Sequence, residues 1–293
     1  MGGARPAYAG PQRAAGRRRP PGRYGRAYGF ERAMDNLGAV AGPLAALALV
    51  AAFGVRSAIA LSALPGLLAA VAIAYAIRAA PQARTAERAP LRLKVRPLLG
   101  GPLGRLMIGV STFELGNLAA TIMILRATQL PLPARRAVAA TTTALLLYTG
   151  YNVAAAASVP AGRASDRWTS PGVLMAGVAL FTLAYAGLAI VGPSAPALAA
   201  CFLTAGVAIG CVETAEHTAV ALLAPAALRG SAFGLLAVTQ SLGNVVASGT
   251  AGLLWTLISP TAAFSYAAVC MLLSALALSG SVGALGSRAH GRP

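Results

Sequence analysis

Residues 25–43 read GRAYGFERAMDNLGAVAGP. Glu31, Arg32 and Asp35 stand at the mouth of a long apolar run that is interrupted by Gly42-Pro43. A fainter copy returns downstream. A shift of 205 positions (230 minus 25) sets Gly25-Arg26-Ala27-Tyr28-Gly29-Phe30 over Gly230-Ser231-Ala232-Phe233-Gly234-Leu235, and Leu37-Gly38 over Leu242-Gly243. Each copy opens an apolar segment with small residues and is followed by a second such segment, so residues 31–78 and 230–283 correspond. Six apolar segments separate the two starts, which makes one repeat a unit of six. Parallel duplicated halves, related by an axis along the membrane normal, are a transporter plan. Chance likeness between two Gly/Ala-rich helices is the competing explanation.

Composition fixes the surroundings of this repeat. The chain is 57% hydrophobic and 11% charged, with a mean hydropathy of +0.69. That is well beyond the roughly half-apolar, quarter-charged average of soluble domains. A helix needs about 20 apolar residues to cross the hydrocarbon. Eight stretches qualify, near 31–54, 57–78, 104–128, 137–161, 171–192, 195–223, 230–257 and 261–283. They lack the alternation of a barrel strand, so helices must satisfy their backbone polar groups. The expected fold class is all-α, a polytopic membrane helical bundle of about eight transmembrane helices.

The formal net charge of +17 does not call for nucleic acid. With the N-terminus cytoplasmic, 20 of the 24 Lys and Arg residues fall on the cytoplasmic side, all but Arg56, Arg126, Arg135 and Arg136. This is the positive-inside bias. No aromatic residues interleave the Arg run at 17–19 as a single-strand groove would need. Anionic lipid heads are the expected partners of the basic loops. Cys201, Cys211 and Cys270 all sit inside apolar stretches with no CxxC pairing, so they read as core residues. Residues 1–29 form a basic tail without an apolar signal region. The remaining units are a two-helix segment (30–78), a basic linker (79–103), a six-helix bundle (104–283) and a second tail (284–293). Both termini are expected to be cytoplasmic, in a plasma or inner membrane.

From Gly25 to Leu278 the order of features resembles the major facilitator superfamily, the eight segments matching helices five to twelve of that plan. GRASDRW, residues 162–168, is similar to the family's cytoplasmic loop motif in its Gly162 and Asp166-Arg167 pair. The motif's usual basic continuation is replaced by Trp168-Thr169-Ser170-Pro171. Gly29, Gly38 and Gly42-Pro43 resemble the helix-five signature of proton-driven exporters, although its closing Gly pair is Ala46-Leu47 here. The resemblance implies a complete C-terminal bundle and an N-terminal half without its first four helices. It also implies that Asp166 touches the start of the helix at Gly230 to Phe233, latching the cytoplasmic mouth. A solvated Asp166, or one capping its own following helix, is the alternative. Gly38 and Gly42 lie one turn apart and favour close helix packing, while Pro43 removes an internal hydrogen bond.

Ionisable residues in the apolar segments carry the functional reading, because a charge in the bilayer is expensive and marks a pathway. Only seven acidic residues exist, and Glu31, Asp35, Glu114, Glu213 and Glu216 fall in or beside the segments. Asn117 lies one turn from Glu114. Glu213, Glu216 and His217 share one stripe of a helix. A carboxyl withdrawn from water can take up and release a proton or hold a cationic substrate, so Asp35, Glu114, Asn117, Glu213, Glu216 and His217 are the candidates for coupling or binding. Structural roles compete with this: Glu213 could tie to Arg167 or Arg229, and Glu31 could complement Arg32. Arg126 is a weaker site candidate that could equally reach the headgroups.

The stretch ETAEH (213–217) is not a zinc signature, and neither a phosphate loop nor a GxSxG elbow occurs. No enzyme activity, metal or cofactor is expected. The expected function is secondary transport of a small molecule, proton-coupled efflux by alternating access, with protons and a small-molecule substrate as partners. The alternative is a non-transporting membrane subunit that self-associates or receives the absent half from another chain.

Overall fold

The computed structural model describes residues 24–79, 97–129, 137–156, 158–167 and 170–289. Residues 1–23 of the basic tail, most of the basic linker, Arg135, Arg136 and the side chains of Pro43 and Arg167 lie outside the described residues, while residues 24–29, assigned to the tail on sequence, are the first turns of a helix. Among the described residues ten α-helices follow one another: α1 (Tyr24–Leu61), α2 (Ala63–Ala79), α3 (Gly101–Gly116), α4 (Ala120–Gln129), α5 (Ala137–Ala155), α6 (Ser158–Arg167), α7 (Ser170–Ile190), α8 (Ala195–Leu223), α9 (Arg229–Leu257) and α10 (Pro260–Ala289). There is no strand among the described residues. The fold is the all-α polytopic bundle expected from composition.

Among the described residues six stretches are long and apolar enough to cross a membrane: Ala48–Ala76, Gly101–Gln129, Ser170–Ile190, Ala195–Leu223, Ala226–Leu257 and Pro260–Ser279. The difference from eight has identifiable causes. The first two expected segments are helical almost throughout, interrupted at Gly54 (φ 76°, ψ 167°), whose left-handed φ is costly for any other residue, and at Ser62 between α1 and α2. The break therefore falls at Gly54 and not at Pro43. α5 carries Thr141, Thr142, Thr143, Tyr148 and Asn152, which lower its hydropathy, and it ends before the separate α6 begins.

The core lies where α7 packs on α8 and α10, α10 on α3, and α5 on α8. An aromatic ladder runs through it: Phe113 to Phe181 at 5.5 Å between centroids, Phe181 to Tyr185 at 5.3 Å, Tyr185 to Phe264 at 6.2 Å and Phe264 to Trp255 at 6.0 Å. Pairs at such spacings add roughly 0.5–1.5 kcal/mol each beyond the area they bury. The two segments aligned in sequence, 31–78 and 230–283, differ in packing. α10 lies against α9, α7 and α3, whereas α2 meets α1 only around their junction and leaves most of its surface uncovered.

The span Gly101–Gln129 is discontinuous. α3 stops at Gly116 and α4 begins at Ala120, which frees backbone groups that lipid could not satisfy. Protein groups take them up. The Leu118 N–H donates to the Tyr185 hydroxyl (3.2 Å), the Tyr266 hydroxyl donates to the Leu115 carbonyl (2.7 Å), and the Asn117 N–H donates back to Glu114 O (3.3 Å). The break places Glu114 and Asn117 beside α8 and α9.

Candidate functional site

Glu114 is 3% exposed and Glu216 is fully buried. Each carboxylate is held by an amide. Asn117 Nδ2 donates to Glu114 Oε2 at 3.0 Å, as the one-turn spacing anticipates, and Gln240 Nε2 on α9 donates to Glu216 Oε2 at 3.0 Å. Glu216 Oε1 has no hydrogen-bond partner. α9 reaches this cluster through Gly243. A Cβ there would run into the Glu114 Cβ and lie 3.0 Å from the Glu114 carbonyl carbon, so only glycine lets the two helices meet. Among the described residues no cationic side chain forms an ion pair with Glu114 or Glu216.

The remaining members of the α8 stripe belong to a second cluster, centred on Arg32 of α1. Arg32 Nε lies 3.9 Å from Glu213 Oε2, its Nη1 lies 3.5 Å from Asp35 Oδ2, and its Nη2 lies 3.0 Å from His217 Nε2. His217 Nδ1 lies 2.8 Å from the Glu213 backbone oxygen. Glu213 is therefore tied to Arg32, and among the described residues no ion pair joins it to Arg229; the side chain of Arg167, the other partner considered, lies outside the described residues. Asp35 has a side chain 62% exposed and meets only the edge of this cluster. Arg126 reaches the end of α7, where its Nη2 donates to Val191 O at 3.2 Å.

The loop motif makes a different contact from the one expected. Asp166 Oδ1 accepts the Gly25 N–H (2.9 Å), Oδ2 accepts the Arg26 N–H (3.1 Å), and Arg26 Nε lies 3.8 Å from Oδ2. The partner is the start of α1, not the start of α9 at Gly230 to Phe233. The two helix starts are alike in sequence, and Asp166 caps the one at Gly25. Its charge meets the unpaired first-turn N–H groups and the positive end of the helix dipole. Gly162 fits beneath this contact. A Cβ on it would strike the Gly25 carbonyl oxygen and lie 3.3 Å from Gly29 Cα. Gly38 and Gly42 do not share this seam: a Cβ on either meets nothing within 4 Å.

The family model described as Major Facilitator Superfamily matches this chain twice, over residues 1–133 and 118–284. The chain belongs to the Major Facilitator Superfamily. It is thus a multi-pass membrane protein of a family of secondary transporters for small molecules, not of enzymes. A comparison with curated proteins finds no match.

Within a superfamily member, two residues passed over in the sequence now stand at the centre of the site. Arg32 is the cation that gathers Asp35, Glu213 and His217. Gln240 is the amide that holds Glu216. Each had a signal: Arg32 stands one turn before Asp35, and Gln240 is an amide inside an apolar span, where polar side chains serve as interhelical ties. Among the described residues no group of three or more His, Cys, Asp or Glu side chains could hold a metal ion.

Proposed function

We propose that the chain is a proton-coupled exporter of small molecules that works by alternating access, with Glu114 and Glu216 as the groups that exchange protons for substrate. One observation carries this reading: two buried carboxyls, on α3 and α8, meet amides and, among the described residues, form no ion pair, and one of their oxygens is left without a hydrogen bond. An ionised carboxylate in that setting is costly unless a proton or a cationic group joins it. A transporter can exploit such a site by letting the two compete. Glu114 lies beside the break in its span, which places it where interrupted helices of transporters hold their ligands. The Asp166 contact with α1 acts as the inner latch, and the side bearing it is cytoplasmic on the positive-inside argument.

The test uses purified protein in proteoliposomes under an imposed pH gradient, with ethidium as the cationic probe and a pH dye in the lumen. Ethidium flux coupled to proton movement is expected, with E114Q and E216Q abolishing the coupled flux while keeping the thermal stability of the wild type. Unchanged coupled flux in both variants would remove these carboxyls from the mechanism.

The second reading, a membrane subunit that assembles with another chain, is favoured by the open faces of α1 and α2. Gly38 and Gly42 have nothing against them, and Leu64, Leu67, Leu68 and Val71 are all more than half exposed. Small-residue faces permit close approach by a partner helix. Co-elution of a second helical polypeptide, or a defined homo-oligomer in place of ethidium flux, would support this reading over transport.

A further inference from the structure

The contact between Arg32 and His217 specifies a protonation state. A guanidinium has no acceptor, so His217 Nε2 must present its lone pair to Arg32 Nη2 at 3.0 Å. A carbonyl has no proton, so Nδ1 must carry the hydrogen that points at Glu213 O at 2.8 Å. Only the neutral Nδ1–H tautomer satisfies both partners. We propose that this pair is a pH-operated latch between α1 and α8, closed while His217 is neutral and opened when its Nε2 takes up a proton. It rests on no substrate and no coupling, and so stands apart from the transport reading.

Protonation changes the contact in two ways. An N–H replaces the lone pair, so the bond to Nη2 is lost, and an imidazolium is set directly against a guanidinium. Arg32 has another place to go. Its Nε makes no hydrogen bond in the closed contact, although Glu213 Oε2 is 3.9 Å away, and Asp35 Oδ2 is 3.5 Å from Nη1. The freed guanidinium therefore keeps two carboxylates within reach. The imidazolium also has favourable neighbours, since Tyr28 of α1 and Phe233 of α9 place their ring centroids 5.6 Å and 5.9 Å from that of His217. Aromatic faces attract a cation at such distances. A single proton thus removes the bond that closes the latch and leaves the guanidinium other partners within reach.

Other charged or titratable groups lie beside the ring or beside the residues it contacts and the helices packed on it, and the test must separate them. α1 brings Tyr28, Glu31, Arg32 and Asp35, α8 brings Glu213 and Glu216, α9 brings Arg229, α5 brings Tyr151 and α6 brings Asp166. Asp166 is committed to the start of α1, so α1 remains pinned there, and opening means a swing of its later turns about that seat.

The experiment measures the separation of α1 and α8 in the full chain in lipid nanodiscs, by double electron–electron resonance. Spin labels stand at Leu37 and Leu222, both exposed, with Cys201, Cys211 and Cys270 replaced by Ala. Between about pH 8 and about pH 5, the range that His side chains cover, the wild-type distribution should shift to longer distances. H217Q, whose amide can accept from Arg32 and donate to Glu213 O while staying neutral, should keep the short distribution throughout. R32Q, which leaves no guanidinium to repel, should lose the pH response. A wild-type distribution that does not move with pH would overturn the proposal, and so would H217Q or R32Q shifting as the wild type does. Loss of ethidium transport in any of these proteins would leave the distance readout untouched.

Discussion

Replacing Asp166 with Ala removes two acceptors from the first turn of α1. The carboxylate takes the Gly25 and Arg26 N–H groups at 2.9 Å and 3.1 Å, and its side chain is 5% exposed. Hydrogen bonds to a charged group contribute about 1.5–3 kcal/mol each, which sets a ceiling of roughly 3–6 kcal/mol for the pair. Water recovers part of this at Arg26, whose side chain is 57% exposed. It recovers little at Gly25, which is buried against Gly162. The ion pair with Arg26 adds little, because exposed pairs are worth about 0–1 kcal/mol. A net loss of about 2–4 kcal/mol follows, or roughly a 30- to 900-fold change in the opening equilibrium of the turn. First-turn N–H groups have no intrahelical partner, so protection of Gly25 and Arg26 depends on Asp166. Amide hydrogen exchange followed by mass spectrometry on the detergent-solubilised protein reads this directly. D166A should speed exchange in the Tyr24–Tyr28 segment by a factor in that range. D166N, whose remaining amide oxygen can still accept one N–H, should speed it less. Wild-type exchange in D166A would refute the assignment of Asp166 as the cap of α1.

Gly162→Ala should destabilise the seam between α1 and α6 by about 1–3 kcal/mol, because the neighbours its Cβ meets are the backbone of Gly25 and Gly29. Gly38→Ala, with nothing within 4 Å, should change thermal unfolding by less than about 0.5 kcal/mol, and equal effects of the two would contradict the packing described. Gly243→Ala should force α9 away from α3, lowering the unfolding temperature and loosening the Glu114 site, while Gly249→Ala on the same helix leaves both unchanged. Tyr185→Phe should cost about 1–3 kcal/mol by leaving the Leu118 N–H buried without a partner. An unfolding curve identical to wild type would show that the break at residues 117–119 is satisfied by another group.

What could be read in the sequence, and what could not, follows from how far each interaction reaches along the chain. Membrane helices announce themselves because each must meet the bilayer residue by residue, so composition alone leads to the bundle. The pairing of Glu114 with Asn117 is equally local, one turn of a helix, and the structure keeps it at 3.0 Å. The joining of Glu213 and His217 with Arg32 is not local. It spans the repeat, and nothing in the spacing of α8 identifies which cation will face it. The Asp166 contact is the clearest case. The duplicated sequence offers two helix starts of nearly the same composition, Gly25 and Gly230, and an aspartate can cap either by the same chemistry. The choice between them belongs to the packing of α1 on α6, and the deciding residue is Gly162. It lacks a side chain, and that lets the Gly25 backbone come down onto α6 while placing the Asp166 carboxylate under two open N–H groups. The same reasoning explains why Gly243 touches Glu114 whereas Gly38, 205 positions earlier, touches nothing: likeness in sequence does not carry a neighbour with it. The contacts across the bundle must therefore be read from where the missing side chains allow the backbones to meet.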